Sequence, residues 1–472
     1  MSERNNQSAF SNVDLVTFSL YLALLGVGWL MVYTVNYEEV SQGGILEFFS
    51  SNIGKQTIWM VISLVVFFFV LLIDRKFWET FAYLFYIISI VLLVAVLFFG
   101  STIKGATSWF NFGSFSFQPS EVAKFSTCLA MASYLSSYNA NLKELRGQLF
   151  AFSIFAVPLV LIFAQPDAGS ALVFLSFVIV LFREGLPTSY YIFGISAAVL
   201  LLLGFVFEPI SIIVGILLVA ILILAYNQPK QNLYWVLGAL GLAILSFIPQ
   251  TFIGTGIKLG VLAILFAVGG IWVGYYQRKG ILVRGLAFSI VLGAAIAFAA
   301  NYGFNQVLKP HQQERINIWL QPDKADPRGA LYNVLQSKLA ISSGGFTGKG
   351  FLKGTLTRLD YVPEQTTDFI FCTIGEEQGF VGSLGIIGLF LVFLIRLTIL
   401  AERQRANFPR QYIYGVAGMI FFHVIINIGM TMGLVPIIGI PLPLISKGGS
   451  SFLGFTIMIA VLLRLDGDRY QV

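Results

Sequence analysis

The sequence predicts an all-α polytopic membrane protein of about fourteen transmembrane helices with one long extracytoplasmic loop. Three observations predict it. Hydrophobic residues fill 57% of the 472 positions and charged residues 11%, at a mean hydropathy of +0.83, so lipid is the solvent for most of the chain. Apolar runs of about 20 residues, the length that crosses the hydrocarbon, recur from end to end. Between 309 and 368 they stop, and that stretch carries Asp323, Asp326, Glu364 and Asp368 beside Arg315, Lys338, Lys349 and Lys353. It is not of low complexity, and so long a charged, glycine-rich loop in a membrane protein usually carries function.

The expected spans are 15–35, 57–73, 78–99, 121–138, 148–164, 169–185, 189–207, 209–226, 233–250, 256–276, 282–303, 382–400, 412–434 and 450–465. Residues 1–12 are polar and the first apolar run is long enough to span, so no cleavable signal is expected. With the N-terminus inside, inner connections hold the cations: Arg75 and Lys76, Lys143 and Arg146, Arg183, Lys230, Arg278, Lys279 and Arg284, Arg403, Arg405 and Arg410, then Arg464 and Arg469. Outer connections before the long loop are poor in them. The connection at 100–120, the turn at 165–168, the loop and the connection at 435–449 then share the outer face. The run from 369 to 396 is too long for one span. Gly379 and Gly382 predict a break, with a short interfacial helix before it that keeps Glu376 and Glu377 from the hydrocarbon centre. Residues 187–303 are plain apolar helices broken only by Glu208, Lys258 and Arg284 and a few connection residues, and read as scaffold.

Composition also excludes. Cys128 and Cys372 give no disulfide framework, and both read as small apolar residues. A net charge of +6 suits membrane lipids with anionic headgroups. No basic cluster interleaved with aromatics supports nucleic-acid binding.

Four stretches carry chemistry. In the first, Trp109 precedes Gln118-Pro119-Ser120-Glu121, with Lys124 three residues further on. Pro119 suits a first helical position, and Glu121 and Lys124 share a helix face where they can pair. A helix cap with an interfacial tryptophan explains the pattern equally well. In the second, Asp167 stands at a helix start, where a carboxylate is favoured; a capped tight hairpin is the plain alternative. The third is the loop. Residues 344–350 are glycine-rich with Lys349, a composition that suits a phosphate, although the Walker spacing is missing. In the fourth, Asn427 is followed by Pro436, Gly439, Pro441, Pro443 and Ser446-Lys447-Gly448-Gly449, a density that means non-helical backbone at membrane depth.

Taken together these stretches resemble the SEDS family of shape, elongation, division and sporulation proteins. The resemblance rests on GATSWFNFGSFSFQPSEVAK, AQPDAGSA, ADPRGALYNVLQSKLAISSGGFTGKGFLKGT, YVPEQTTDFIFCTIGEEQGFVG and GLVPIIGIPLPLISKGGSS, in that order over most of the chain. GKGFLKGT and PEQTTDFIF point to its elongation branch. Departures are Ser108 where the family often has arginine, Lys447 where it often has an aromatic, and one extra residue between Pro322 and Asp326. The family usually has ten spans, which makes residues 209–281 an inserted set of four helices. The chain then divides into a cytoplasmic tail 1–12, helices 13–208, the insertion, and helices 282–472 with the outer loop 304–368.

The resemblance implies a peptidoglycan glycosyltransferase that polymerises lipid II, a disaccharide–pentapeptide on undecaprenyl pyrophosphate, at the outer face of the bacterial cytoplasmic membrane, both termini being cytoplasmic. It implies a class B penicillin-binding transpeptidase and other elongation-complex membrane proteins as partners. Such a transfer needs a base at the acceptor hydroxyl and cations at the leaving pyrophosphate, but no acid. Asp326 is the expected base, its Asp-Pro context favouring it over Asp323. Arg315, Lys338 and Lys349 are expected to hold the pyrophosphate, alone or with a divalent cation such as Mg2+ or Mn2+. Trp109, Gln118, Ser120, Glu121, Lys124, Asp167, Glu364 and Ser446 are expected to line the substrate site. A lipid flippase or a non-catalytic scaffold of the wall-building complex are the alternatives. A flippase calls for polar groups near the midplane, for which only Asp167 and Asn427 offer themselves.

Overall fold

Backbone amides in lipid must bond within their own segment, so the apolar runs close into helices. The computed structural model describes residues 13–37, 48–49, 51–103, 105–113, 115–138, 140–226, 255–276, 279–324, 329–359 and 361–469. Its helices are α1 (Leu15–Val35), α2 (Asn52–Leu72), α3 (Arg75–Phe99), α4 (Pro119–Ser136), α5 (Leu145–Ala164), α6 (Ala168–Val173), α7 (Phe177–Arg183), α8 (Thr188–Val206) and α9 (Pro209–Tyr226). There follow α10 (Thr255–Ile271), α11 (Gly280–Tyr302), α12 (Pro310–Leu320), α13 (Ala330–Ser343), α14 (Thr355–Arg358), α15 (Ile370–Glu402), α16 (Asn407–Thr431) and α17 (Gly449–Gly467). Among the described residues 9 helices are long and apolar enough to cross a membrane, and shorter apolar helices run over 168–183, 209–224 and 259–275. The protein is thus an all-α multi-pass membrane protein. Each expected span falls on a helix except 233–250, which lies outside the described residues.

Two compact units are distinguished: 1–187 with 325–472, and 188–324. In the first, α4 is the central helix, packed by α3, α5, α16 and α17. Its side chains from Pro119 to Leu135 are buried except Val122, Ser133 and Tyr134. That is why a helix with Glu121 and Lys124 in its first turns persists here: protein, not lipid, surrounds it. At one end of this unit, ion pairs fasten helix termini. Asp14 caps α1 through Thr17 and meets Arg396 of α15 and Arg403 just after it, while Arg403 also binds Asp466 of α17. Arg464 reaches Asp74, just before α3, at 3.1 Å.

The expected break in the long run is present. α15 is two helical stretches joined at a kink, where Gly379 stands at φ 65°, ψ −159°. The connection at 100–117, for which no strand is expected, is a three-stranded antiparallel ribbon of β1 (Ser101–Ile103), β2 (Ala106–Phe112) and β3 (Phe115–Phe117). Phe110 pairs with Phe117 and Phe112 with Phe115. Aromatics at every second position are a strand signature, and the turn residue Gly113 has φ 65°.

In the second unit, α8 packs on α11, and α9 packs on α10 and α11. Ile213, Val214, Leu217 and Ile221 form its core with Leu259, Phe266 and Ile290.

Candidate active site

The site is built outward from the first turn of α4. Gln118 precedes Pro119, whose fixed φ starts the helix. Three residues separate Glu121 from Lys124, and the pair forms: Nζ of Lys124 lies 2.8 Å from both carboxylate oxygens, aligned for a hydrogen bond on Oε1. Glu121 is 4% exposed and Lys124 1%, so water does not screen the pair. His423 of α16, also buried, brings Nε2 to 3.3 Å from the same ammonium. No motif in the sequence points to His423. An ionisable side chain inside an apolar span is the one signal that marks it. Ser120 is buried, and its hydroxyl has no hydrogen-bond partner among the described residues.

Gln118 points to the neighbouring turn. Its Nε2 donates to Asp167 Oδ2 at 3.0 Å, and Asp167 Oδ1 accepts the Ser170 amide at 3.1 Å as the cap of α6. Asp167 therefore caps the hairpin, as expected, and also binds the other motif. The ribbon joins here too: the Thr107 amide donates to the Gln165 carbonyl at 3.1 Å, close to half-buried Trp109. Gly169 lets the segment between α16 and α17 approach, since a β-carbon there would stand 2.8 Å from the Ile438 carbonyl oxygen.

That segment, 432–448, is non-helical, and its polar groups are met by side chains and by the strap of residues 362–369. Asn427 donates to the Asp368 carbonyl at 2.8 Å and the Ile440 carbonyl at 2.7 Å. The Ser446 hydroxyl donates to the Thr367 carbonyl at 2.5 Å and accepts the Leu442 amide at 2.8 Å. The Lys447 amide donates to the Thr366 carbonyl at 2.9 Å. Glu364, exposed and at φ 61°, starts the strap's turn and accepts the Thr367 hydroxyl at 3.0 Å.

Beyond the strap lies the glycine-rich stretch. Its amides are engaged internally: Lys349 donates to the Glu376 carbonyl at 3.0 Å and Gly350 to that of Glu377 at 2.9 Å. The Lys349 ammonium lies 2.6 Å from Glu376 Oε1, which also accepts the Leu356 amide at 2.9 Å, while Oε2 accepts the amide and hydroxyl of Thr357. A carboxylate of the protein itself therefore pairs with the lysine that the sequence suited to a phosphate. Lys338, exposed on α13, makes no ion pair among the described residues, and its ammonium lies over Gly433. Arg315 is half-buried on α12, in the second unit. Asp326 lies outside the described residues. Asp323 is exposed in a single turn of helix at Pro322–Lys324.

The first unit thus gathers Trp109, Gln118, Glu121, Lys124, Asp167, Ser446 and the strap at the end opposite the ion-paired termini. Among the described residues no three His, Cys, Asp or Glu side chains converge as a metal site. A cavity of about 1410 Å³ lies within the second unit between α8, α9 and α11, but aliphatic, phenylalanine and serine side chains line it and no ionisable group enters it.

The cell cycle protein family of FtsW, RodA and SpoVE matches residues 15–211 and 208–471. The peptidoglycan glycosyltransferase RodA of Treponema pallidum (strain Nichols) is 31% identical over 98% of this chain and 99% of that protein. The peptidoglycan glycosyltransferase MrdB of Escherichia coli (strain K12) is 29% identical over 98% and 97%. Among solved structures, a chain from work on the structural coordination of polymerization and crosslinking by a peptidoglycan synthase complex aligns over 98% of this chain and all of its own, at TM-score 0.64 and 24% identity. The rod shape determining protein RodA of Thermus thermophilus aligns over 98% of this chain at TM-score 0.57 and 22% identity.

Proposed function

The chain belongs to the cell cycle protein family of FtsW, RodA and SpoVE and is a peptidoglycan glycosyltransferase of cell elongation, and from that premise we propose how its residues act. The substrate is lipid II, presented at the outer face of the cytoplasmic membrane, with both termini on the cytoplasmic side. The Asp326 carboxylate takes the proton of the acceptor sugar hydroxyl. That oxygen attacks the anomeric carbon of the donor, the bond to pyrophosphate breaks, and the electron pair leaves with undecaprenyl pyrophosphate. Lys338 offers positive charge to the leaving group. Lys349 instead fastens the loop through Glu376, and Gln118 and Asp167 tie α4 to the turn against which the segment before α17 lies.

The observation that carries this reading is the grouping of the four polar stretches at one end of the first unit: the ribbon and the start of α4 bond the 165–168 turn, the strap bonds the segment before α17, and the two pairs meet where Gly169 lies against Ile438. Separated by hundreds of residues, they converge where a donor anchored in the leaflet presents its sugar. A class B penicillin-binding transpeptidase is the proposed partner, cross-linking the strands, together with other membrane proteins of the elongation complex.

The test is gel analysis of glycan made from purified lipid II by the full chain with a candidate transpeptidase. Asp326→Ala is expected to lower polymerisation by at least about 10²-fold, the scale of a lost general base, with the protein still folded and membrane-borne. Undiminished glycan from Asp326→Ala removes Asp326 from the role.

A further inference from the structure

The polar core around Lys124 is closed on every side. One ammonium hydrogen faces Glu121, a second faces His423 Nε2 at 3.3 Å, and the ring of Phe455 lies below at 5.2 Å from Nζ to its centre. The imidazole is fixed in turn. Its Nδ1 lies 2.9 Å from the Met419 carbonyl oxygen, which can only accept. Nδ1 therefore carries the hydrogen, and Nε2 turns its lone pair to the ammonium. Phe455 meets the imidazole edge-on, 5.0 Å between ring centres at 85°. Lys124, fully engaged within the protein, is thus a poor candidate to bind substrate and a good one to register α4 against α16.

One turn further along α16, Asn427 holds the carbonyls of Asp368 and Ile440. Residues four apart share a helix face. A single face of α16 therefore grips, at His423, the turn of α4 that places Gln118 on Asp167, and, at Asn427, the strap and the segment before α17.

We propose that His423 is a positioning residue for the glycosyl transfer, holding the first turn of α4 in register with the strap through the Lys124 ammonium. This rests on the lipid II polymerase reading above. His423 needs both functions of its ring, a donor at Nδ1 and an acceptor at Nε2. Glutamine can supply both from one amide. Phenylalanine keeps the ring shape and the packing on Phe455 but supplies neither.

The experiment compares full-length wild type, His423→Gln and His423→Phe in lipid II polymerisation, measured as kcat and KM per folded protein, with thermal unfolding of each. A displacement of about 1 Å in a reacting geometry costs on the order of 10²-fold in rate. His423→Phe is expected to lose about 10–100-fold in kcat with KM within about threefold of wild type, on that scale. His423→Gln is expected to recover most of the loss even if both variants unfold at similar temperatures. Equal kcat for His423→Phe and wild type overturns the proposal. So does a His423→Gln kcat as low as that of His423→Phe, because the donor–acceptor pair is then not what matters. Wild-type polymerisation in the same assay tests the parent reading, and the ratio between the two histidine variants tests this one.

Discussion

At Lys124 the consequence of burial is a stability effect that a surface pair lacks. Removing one partner of a buried ion pair strands the other charge and costs about 3–5 kcal/mol, whereas replacing both with apolar groups of similar size is close to neutral. Lys124→Met is therefore expected to lower unfolding stability by about 3–5 kcal/mol. Lys124→Met combined with Glu121→Leu should recover most of that, as measured by denaturant unfolding in detergent. Equal stability of Lys124→Met and wild type would show that the pair contributes nothing. The Glu121–Lys124 contact is legible in the sequence, since a spacing of three places both on one helix face. The third member is not. His423 lies 299 positions from Lys124, and no local pattern joins them. Only the oddity of an imidazole in an apolar span marks it. The hydrogen-bonding duties of Ser446 are hidden for the same reason, since its partner Thr367 is 79 residues away.

Among the elements, the helices are legible because lipid allows little else, and their ends vary by a few residues where interfacial polar groups blur the limit. The break in α15 is legible from glycine spacing. Its purpose is not: at Gly379 a β-carbon would stand 2.2 Å from the Gly348 amide nitrogen, so the kink and the glycine-rich stretch fit together only without side chains. The Phe380 and Val381 amides continue the seam to the carbonyls of Gly345 and Phe346. Glu376 then closes it from the side. Glu376→Ala is expected to release α14, raising hydrogen exchange at the Leu356 and Thr357 amides at least about tenfold, which corresponds to about 1.4 kcal/mol of lost protection. Unchanged protection at both amides would mean that the carboxylate does not hold the loop. The ribbon of β1–β3 shows the opposite case. Its alternating aromatics are visible in the sequence, but the short connection and the helical surroundings mask a period of two.

At the scale of the whole molecule, sidedness decides whether the chemistry has access to its substrate. The distribution of Lys and Arg predicts that every polar stretch faces one compartment, and the first unit bears out the grouping. The ribbon bonds the turn, the strap bonds the segment before α17, and that segment packs on the turn at Gly169, all at one end, while Asp14, Arg403 and Asp466 fasten the other. The central claim is that the first of these ends is external, where a lipid-linked sugar can reach it. Both native cysteines are buried, so single introduced cysteines report cleanly. The direct measurement is labelling of Phe346→Cys and Lys143→Cys, both at exposed positions, with a membrane-impermeant thiol reagent in intact spheroplasts. Phe346→Cys should label at once and Lys143→Cys only after the membrane is opened. Labelling in the reverse order would place the strap and its partners in the cytoplasm and contradict the claim.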